Sequence, residues 1–178
     1  VFKFKENKGQ LPSQVLYHND LHYGDMYLEK DRFTFNLFQP AQIEEFYARR
    51  HGEFTEEFLA GNDILKEWNL HAYSMNFIGA NPDVKVSAID VLPETYNYFH
   101  GNDESKWASN VHAYRLVQYE NLFEGVDMEI YASFQNLKYD FKVAPWAGTK
   151  HIKIDYEGVD HLKLVDGNLV VQLSNGSL

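Results

Sequence analysis

The stretch "LKYDFKV", residues 137–143, places Leu137, Tyr139, Phe141 and Val143 on one side of an extended chain, with Lys138, Asp140 and Lys142 on the other. Side chains alternate between the faces of a strand, so this two-residue period predicts a half-buried β-strand. The period recurs to either side. "VDMEIYA" (126–132) sets Val126, Met128 and Ile130 against Asp127, Glu129 and Tyr131, and "HIKIDY" (151–156) aligns Ile152, Ile154 and Tyr156. "HLKLVDGNLVVQL" (161–173) reads as a hairpin turning at Asp166-Gly167, a pair suited to a tight two-residue turn. "MYLEKDRFTFNLF" (26–38) turns between Glu29 and Arg32, and segments 14–18, 70–78, 84–91 and 111–119 also carry strand character.

One segment departs from the pattern. In residues 40–68, Ile43, Phe46 and Tyr47 fall at helical spacing, followed by Phe54, Phe58 and Leu59. Pro40 suits the first position of a helix and Gly52 suits its end. Two short helices inserted between strands are expected there. A parallel α/β sheet would need a helix after nearly every strand. The expected fold is therefore all-β, an antiparallel β-sandwich of about 10–12 short strands with a short helical insertion around 40–68. No repeat, low-complexity tract or Pro/Gly/Ser linker divides residues 1–178, so one domain is expected.

Composition agrees with strands. Aromatic residues make up 16% of the 178, and such side chains favour pleated, half-buried surfaces. The formal charge of −10 sets the surface against polyanions, so neither nucleic acid nor an anionic membrane surface is an expected partner. No apolar run approaches the roughly 18 residues of a spanning helix, and no membrane insertion is expected. With no cysteine, disulfides, thiol catalysis and cysteine-based zinc sites are excluded. The chain opens on "VFKFKENKGQ" without Met and stops just past an Asn-Gly turn signal, which predicts a piece of something longer.

Several short motifs occur in a fixed order: "FKENKGQ" (4–10), "FIGAN" (77–81), "YNYFHGND" (96–103), Trp107, "NV..Y" (110–114), "VQYENLFEGVDMEIY" (117–131) and "LKYDFKVAPWA" (137–147). In these the chain resembles the amino-terminal, uncharacterised domain of large exported bacterial proteins that carry SBBP-type β-propeller repeats. Many of those, especially in gliding Bacteroidetes, end in a gliding-motility-associated sorting domain. The resemblance runs from Phe4 to Leu178, apart from 40–68. It implies export, a secreted or cell-surface location and a multidomain context, and it brings no catalytic residues. Where the family often has Pro-Gly-Ala after the "YDF.V" strand, this chain has Pro145-Trp146-Ala147, so a different turn is expected.

Candidate sites follow from clustered polarity. Around "HGNDESKW", Tyr98, His100, Asp103 and Trp107 are the ligand-binding candidates, as carboxylate and imidazole groups beside aromatic platforms. Turn chemistry explains the same residues: Gly101-Asn102-Asp103 is a turn signal, and Asp103 or Ser105 would cap a helical turn leading to a packed Trp107. Asp127 and Glu129 share a strand face and are the candidate metal ligands, with Ca²⁺ as the ion they would take. They would equally form the solvated face of an amphipathic strand. "YHNDLHYGD" (17–25) would align His18, Asp20 and His22 if extended, but Asn19-Asp20 reads as a turn that breaks the strand. No nucleophile elbow, phosphate loop or dinucleotide fingerprint is present.

The expected function is a non-catalytic extracellular module of a large secreted protein, serving adhesion, assembly or gliding as cargo of type 9 secretion. No cofactor is expected apart from Ca²⁺. Expected partners are downstream domains of the same chain, other surface or secretion proteins, and polysaccharide. A carbohydrate-binding module is the alternative, and a glycoside hydrolase-like enzyme stands behind it. A docking module would carry an apolar patch near the last hairpin.

Overall fold

The computed structural model of the chain describes residues 2–39, 70–99, 101–133, 136–174 and 176–177. The expected helical insertion at 40–68 lies outside them. Among the described residues the chain is almost entirely antiparallel β. Its thirteen strands are β1 (Phe4–Glu6), β2 (Tyr17–Leu21), β3 (Gly24–Leu28), β4 (Arg32–Phe38), β5 (Leu70–Phe77), β6 (Lys85–Tyr98), β7 (Ala108–Phe123), β8 (Val126–Ser133), β9 (Asn136–Val143), β10 (Ile154–Glu157), β11 (His161–Val165), β12 (Asn168–Leu173) and β13 (Gly176–Ser177).

Ten of these form one sheet, ordered β10-β5-β4-β3-β2-β1-β7-β8-β9, with β6 also paired to β7. Its curl comes from β7. Tyr114 and Ala113 in its first half pair with Phe4 and Lys5 of β1, while Leu116 to Tyr119 in its second half pair with Tyr131 to Met128 of β8. Two strands thus share one long neighbour, and the sheet divides into two leaves. The expected sandwich is built in this way, from leaves of a continuous hydrogen-bonded sheet. β6 is longer than the expected 84–91 and runs through Pro93, where its register to β7 shifts. Proline lacks a ladder donor and is tolerated at such an edge or bulge.

The leaves close on one core. Phe4, Met26, Leu28, Phe33, Met75 and Phe77 come from the first leaf, and Val117, Tyr119, Val126, Met128 and Ile130 from the second. The alternation in "VDMEIYA" is realised here, with Val126, Met128 and Ile130 buried. Tyr119 is buried beside Phe33 and Phe77, and its hydroxyl donates to the Glu29 carbonyl at 2.8 Å. That bond satisfies the one polar atom the ring carries inward. Burial pushes the Tyr119 phenol well above its ordinary pKa.

A smaller sheet, β11-β12-β13, attaches through Val171 and Leu173, which pack on Leu37 and Tyr73. Its hairpin turns at Asp166 and Gly167, both at positive φ, as the sequence predicts. Beyond Val171 the same face continues as Leu162, Leu164 and Leu169, all exposed, with Leu164 at 76%.

Candidate functional site

The β6–β7 connection holds the first candidates, and its polar atoms bond largely to their own chain. Asp103 caps the short 3-10 turn Glu104–Lys106: its carboxylate accepts from the Ser105 N–H at 3.1 Å and the Ser105 hydroxyl at 2.7 Å. Those bonds hold the Asp103 carboxyl below its usual pKa. The Trp107 indole N–H donates to the Gly101 carbonyl at 3.2 Å, and its ring meets Phe99 edge-on at 5.5 Å. Trp107 remains partly exposed and does not pack beneath the strands as expected, because the ring it lies against is itself exposed. His100 lies outside the described residues.

Asp127 and Glu129 share the outer face of β8, but each has a partner from the chain. Asp127 accepts the Asn121 N–H at 2.6 Å, which fastens the β7–β8 connection, and Glu129 pairs with Lys142 of β9. On the next strand position of that face, the Tyr131 hydroxyl donates to Asp140 at 2.6 Å. At the end of β9, Trp146 is 72% exposed, yet one edge of its indole lies over Gly125. A Cβ on Gly125, whose φ is +69°, would sit 2.6 Å from that ring, so the turn that departs from the family pattern uses the missing side chain.

A His and Asp cluster lies elsewhere among the described residues, on the outer face of β1–β3. Asn19-Asp20 does not break the strand. β2 runs through it, and the chain turns two residues later at His22-Tyr23, with Leu21 opposite Gly24. Gly24 permits that turn: at φ +154°, a Cβ there would come within 2.0 Å of the Asn36 carbonyl oxygen. The turn brings Asp20 directly opposite Asp25 and His18 opposite Tyr27. His18 Nε2 then lies 2.8 Å from Asp25 Oδ1 and 3.6 Å from Asp20 Oδ1. Its ring stacks on Tyr27, with centroids 5.1 Å apart. His22 is at the turn, against Tyr23, and is not part of the cluster.

Lys5 of β1 completes this group and has no precedent in the sequence reading. Its ammonium bonds Asp20 Oδ2 and lies 4.6 Å from the centre of the Tyr96 ring. Burial opposes the charge on Lys5, but Asp20 and Tyr98 outweigh it and hold its pKa above the ordinary lysine value. Tyr98, chosen for its place beside "HGND", therefore belongs electrostatically to a cluster more than seventy residues away in sequence.

A third polar arrangement explains the "FKENKGQ" motif. The Asn7 amide donates to the carbonyls of Leu11, Pro12 and Val15 at 3.2, 2.9 and 2.8 Å. Its oxygen accepts from the Gly9 and Leu11 N–H groups at 2.9 and 3.1 Å. Gln10 closes the loop by donating to the Glu6 carbonyl at 2.8 Å. Beside this loop an open groove is lined by Glu6, Asn7, Val15, Tyr17 and Val86. The Glu6 carboxylate there accepts from the His112 backbone N–H at 2.8 Å and lies 3.1 Å from Lys8.

A family described as "Domain of unknown function (DUF7948)" matches residues 4–178. No curated protein and no solved structure matches the chain.

Proposed function

The chain belongs to the DUF7948 family, and from that premise we propose that it is a non-catalytic module of a large secreted or cell-surface bacterial protein. The motif resemblance supports the finer reading: an amino-terminal domain ahead of SBBP-type propeller repeats, serving adhesion, assembly or gliding in a type 9 secretion cargo. The observation that carries the reading is where the motif residues direct their hydrogen bonds. Asn7, Asp103 and Asp127 each bond backbone N–H groups of their own chain. Asn81 of "FIGAN" does the same, accepting from the Asp83 N–H and donating to the Asn121 carbonyl. Residues that label the family thus build the fold.

Leu162, Leu164 and Leu169 give the module a face on which a neighbouring domain would dock, uncovered among the described residues. Burying such side chains at an interface removes apolar area from water at about 25 cal/mol per Å². Leu164→Asp in the longer natural chain is expected to increase protease cleavage between this domain and the next while leaving the domain folded. Unchanged cleavage would remove the docking role.

Polysaccharide binding is the second reading, favoured by the exposed rings of Phe99, Trp107 and Trp146. The near-perpendicular contact of Phe99 and Trp107, at 84°, prevents those two from forming one flat platform. Trp146→Ala tested on a glycan array separates this reading from the first: saccharide binding lost with that ring would favour it.

A further inference from the structure

We propose that His18, Asp20 and Asp25 form a binding site for a first-row divalent cation, with Zn²⁺ as the best match. This does not depend on the docking role above. The three donor atoms lie within 4.8 Å of one another, on two paired strands. Around Zn²⁺ with bonds of about 2.0–2.2 Å, ligand atoms stand about 3 Å apart at a right angle and about 3.4 Å apart in a tetrahedron. The observed separations of 2.8 and 3.6 Å from His18 Nε2 bracket those values, so small side-chain rotations would complete the site.

The ladder itself supplies an independent reason. Asp20 and Asp25 are direct cross-strand neighbours, and like charges in that relationship destabilise a sheet. Lys5 offsets one of the two charges, bonding Asp20 Oδ2 and leaving Oδ1 on the His18 side. With imidazole neutral, one negative charge remains for a cation to meet. Two of the three donors are also held by neighbours, as resident metal ligands usually are. Lys5 fixes the Asp20 carboxylate, and Tyr27 fixes the plane of His18, whose side chain is 14% exposed. Asp20, at 59%, leaves an entry path.

Donor chemistry selects the ion. One imidazole with two carboxylates suits Zn²⁺ and its first-row neighbours, whereas Ca²⁺ takes six to eight oxygens. Three protein ligands leave a coordination position for water or for a donor from a partner.

The test is a Zn²⁺ titration by calorimetry on the chelator-treated chain, followed by the imidazole nitrogen resonances of the unmutated protein. One Zn²⁺ per chain is expected, together with a shift of the His18 Nε2 resonance. His18→Ala and Asp25→Asn should each weaken binding about tenfold or more, and His22→Ala should leave it unchanged. Absence of saturable binding, a His18 resonance that stays in place, or Ca²⁺ binding as tightly as Zn²⁺ would overturn the assignment. The resonance measurement needs no variant, so a misfolded His18→Ala leaves the answer intact.

Discussion

Asp20 and Asp25 stand opposite each other across the β2–β3 ladder, where Lys5 of β1 bonds the first and His18 the second. Lys5→Met keeps most of the side chain's length and removes its charge. Because Asp20 is well exposed, solvent screens the pair and its loss costs about 0.2–1 kcal/mol. Loss of the contact with the Tyr96 ring adds about 0.5–1 kcal/mol. Urea unfolding of Lys5→Met should show a lowered midpoint, and a double-mutant cycle with Asp20→Asn should show positive coupling. Zero coupling would mean that Lys5 contributes through packing alone.

Asn7 holds its loop through three carbonyls and two N–H groups. Asn7→Ala removes all five. The exposed Pro12 carbonyl and Gly9 N–H turn to water, as the part-buried groups do in part, so the net loss is that of a single buried unpaired group, about 1–3 kcal/mol. The variant should lose stability in that range. Hydrogen exchange at the Gly9 and Leu11 amides should quicken, and protection left unchanged would place the loop's order in its backbone.

Asn19 is fully buried on the inner face beside Met26, and among the described residues neither its amide nitrogen nor its oxygen has a hydrogen-bond partner. Asn19→Leu has a similar shape and removes the desolvation penalty of an unpaired amide, about 1–3 kcal/mol. The substitution should raise the unfolding midpoint. A lowered midpoint would show that the amide is bonded, with buried water as its partner.

The Glu6 carboxyl has a lowered pKa: burial raises it, but the His112 N–H, the His112 ring and Lys8 outweigh that effect. A group whose folded pKa is depressed stabilises the protein above its unfolded pKa and loses that contribution as pH falls through the folded value. Stability should therefore decline below about pH 4.5, the ordinary carboxyl value, and Glu6→Gln should flatten that acid limb. Identical pH profiles for the two proteins would assign the acid limb to other carboxylates.

Much of the fold is legible from alternation alone. "VDMEIYA" becomes β8 with Val126, Met128 and Ile130 buried. "LKYDFKV" becomes the neighbouring β9, whose apolar face is covered less, with Leu137, Phe141 and Val143 half-buried and Tyr139 exposed. The cap at Asp103 is legible because aspartate two residues before Ser105 suits a local backbone bond. The cluster at His18 is harder to see. Asn19-Asp20 carries the residue types of a turn, but the ladder overrides that tendency and the bend falls at His22-Tyr23. Gly24 was the available signal, since a turn just before it makes Asp20 and Asp25 neighbours. Lys5 carries no local signal, because its partners Asp20 and Tyr96 come from distant strands. The division of the sheet at β7 is equally non-local, resting on two strands that share one edge.

The central claim is that this module works through an apolar face while its polar motifs shape the backbone. Methyl and indole resonances of the chain alone, compared with those of the chain joined to the downstream domain proposed above, test that claim most directly. The account predicts that the methyl groups of Leu162, Leu164 and Leu169 shift while the Trp107 indole stays in place. Unmoved leucine methyls, together with a Trp107 indole that shifts when polysaccharide is added, would contradict it.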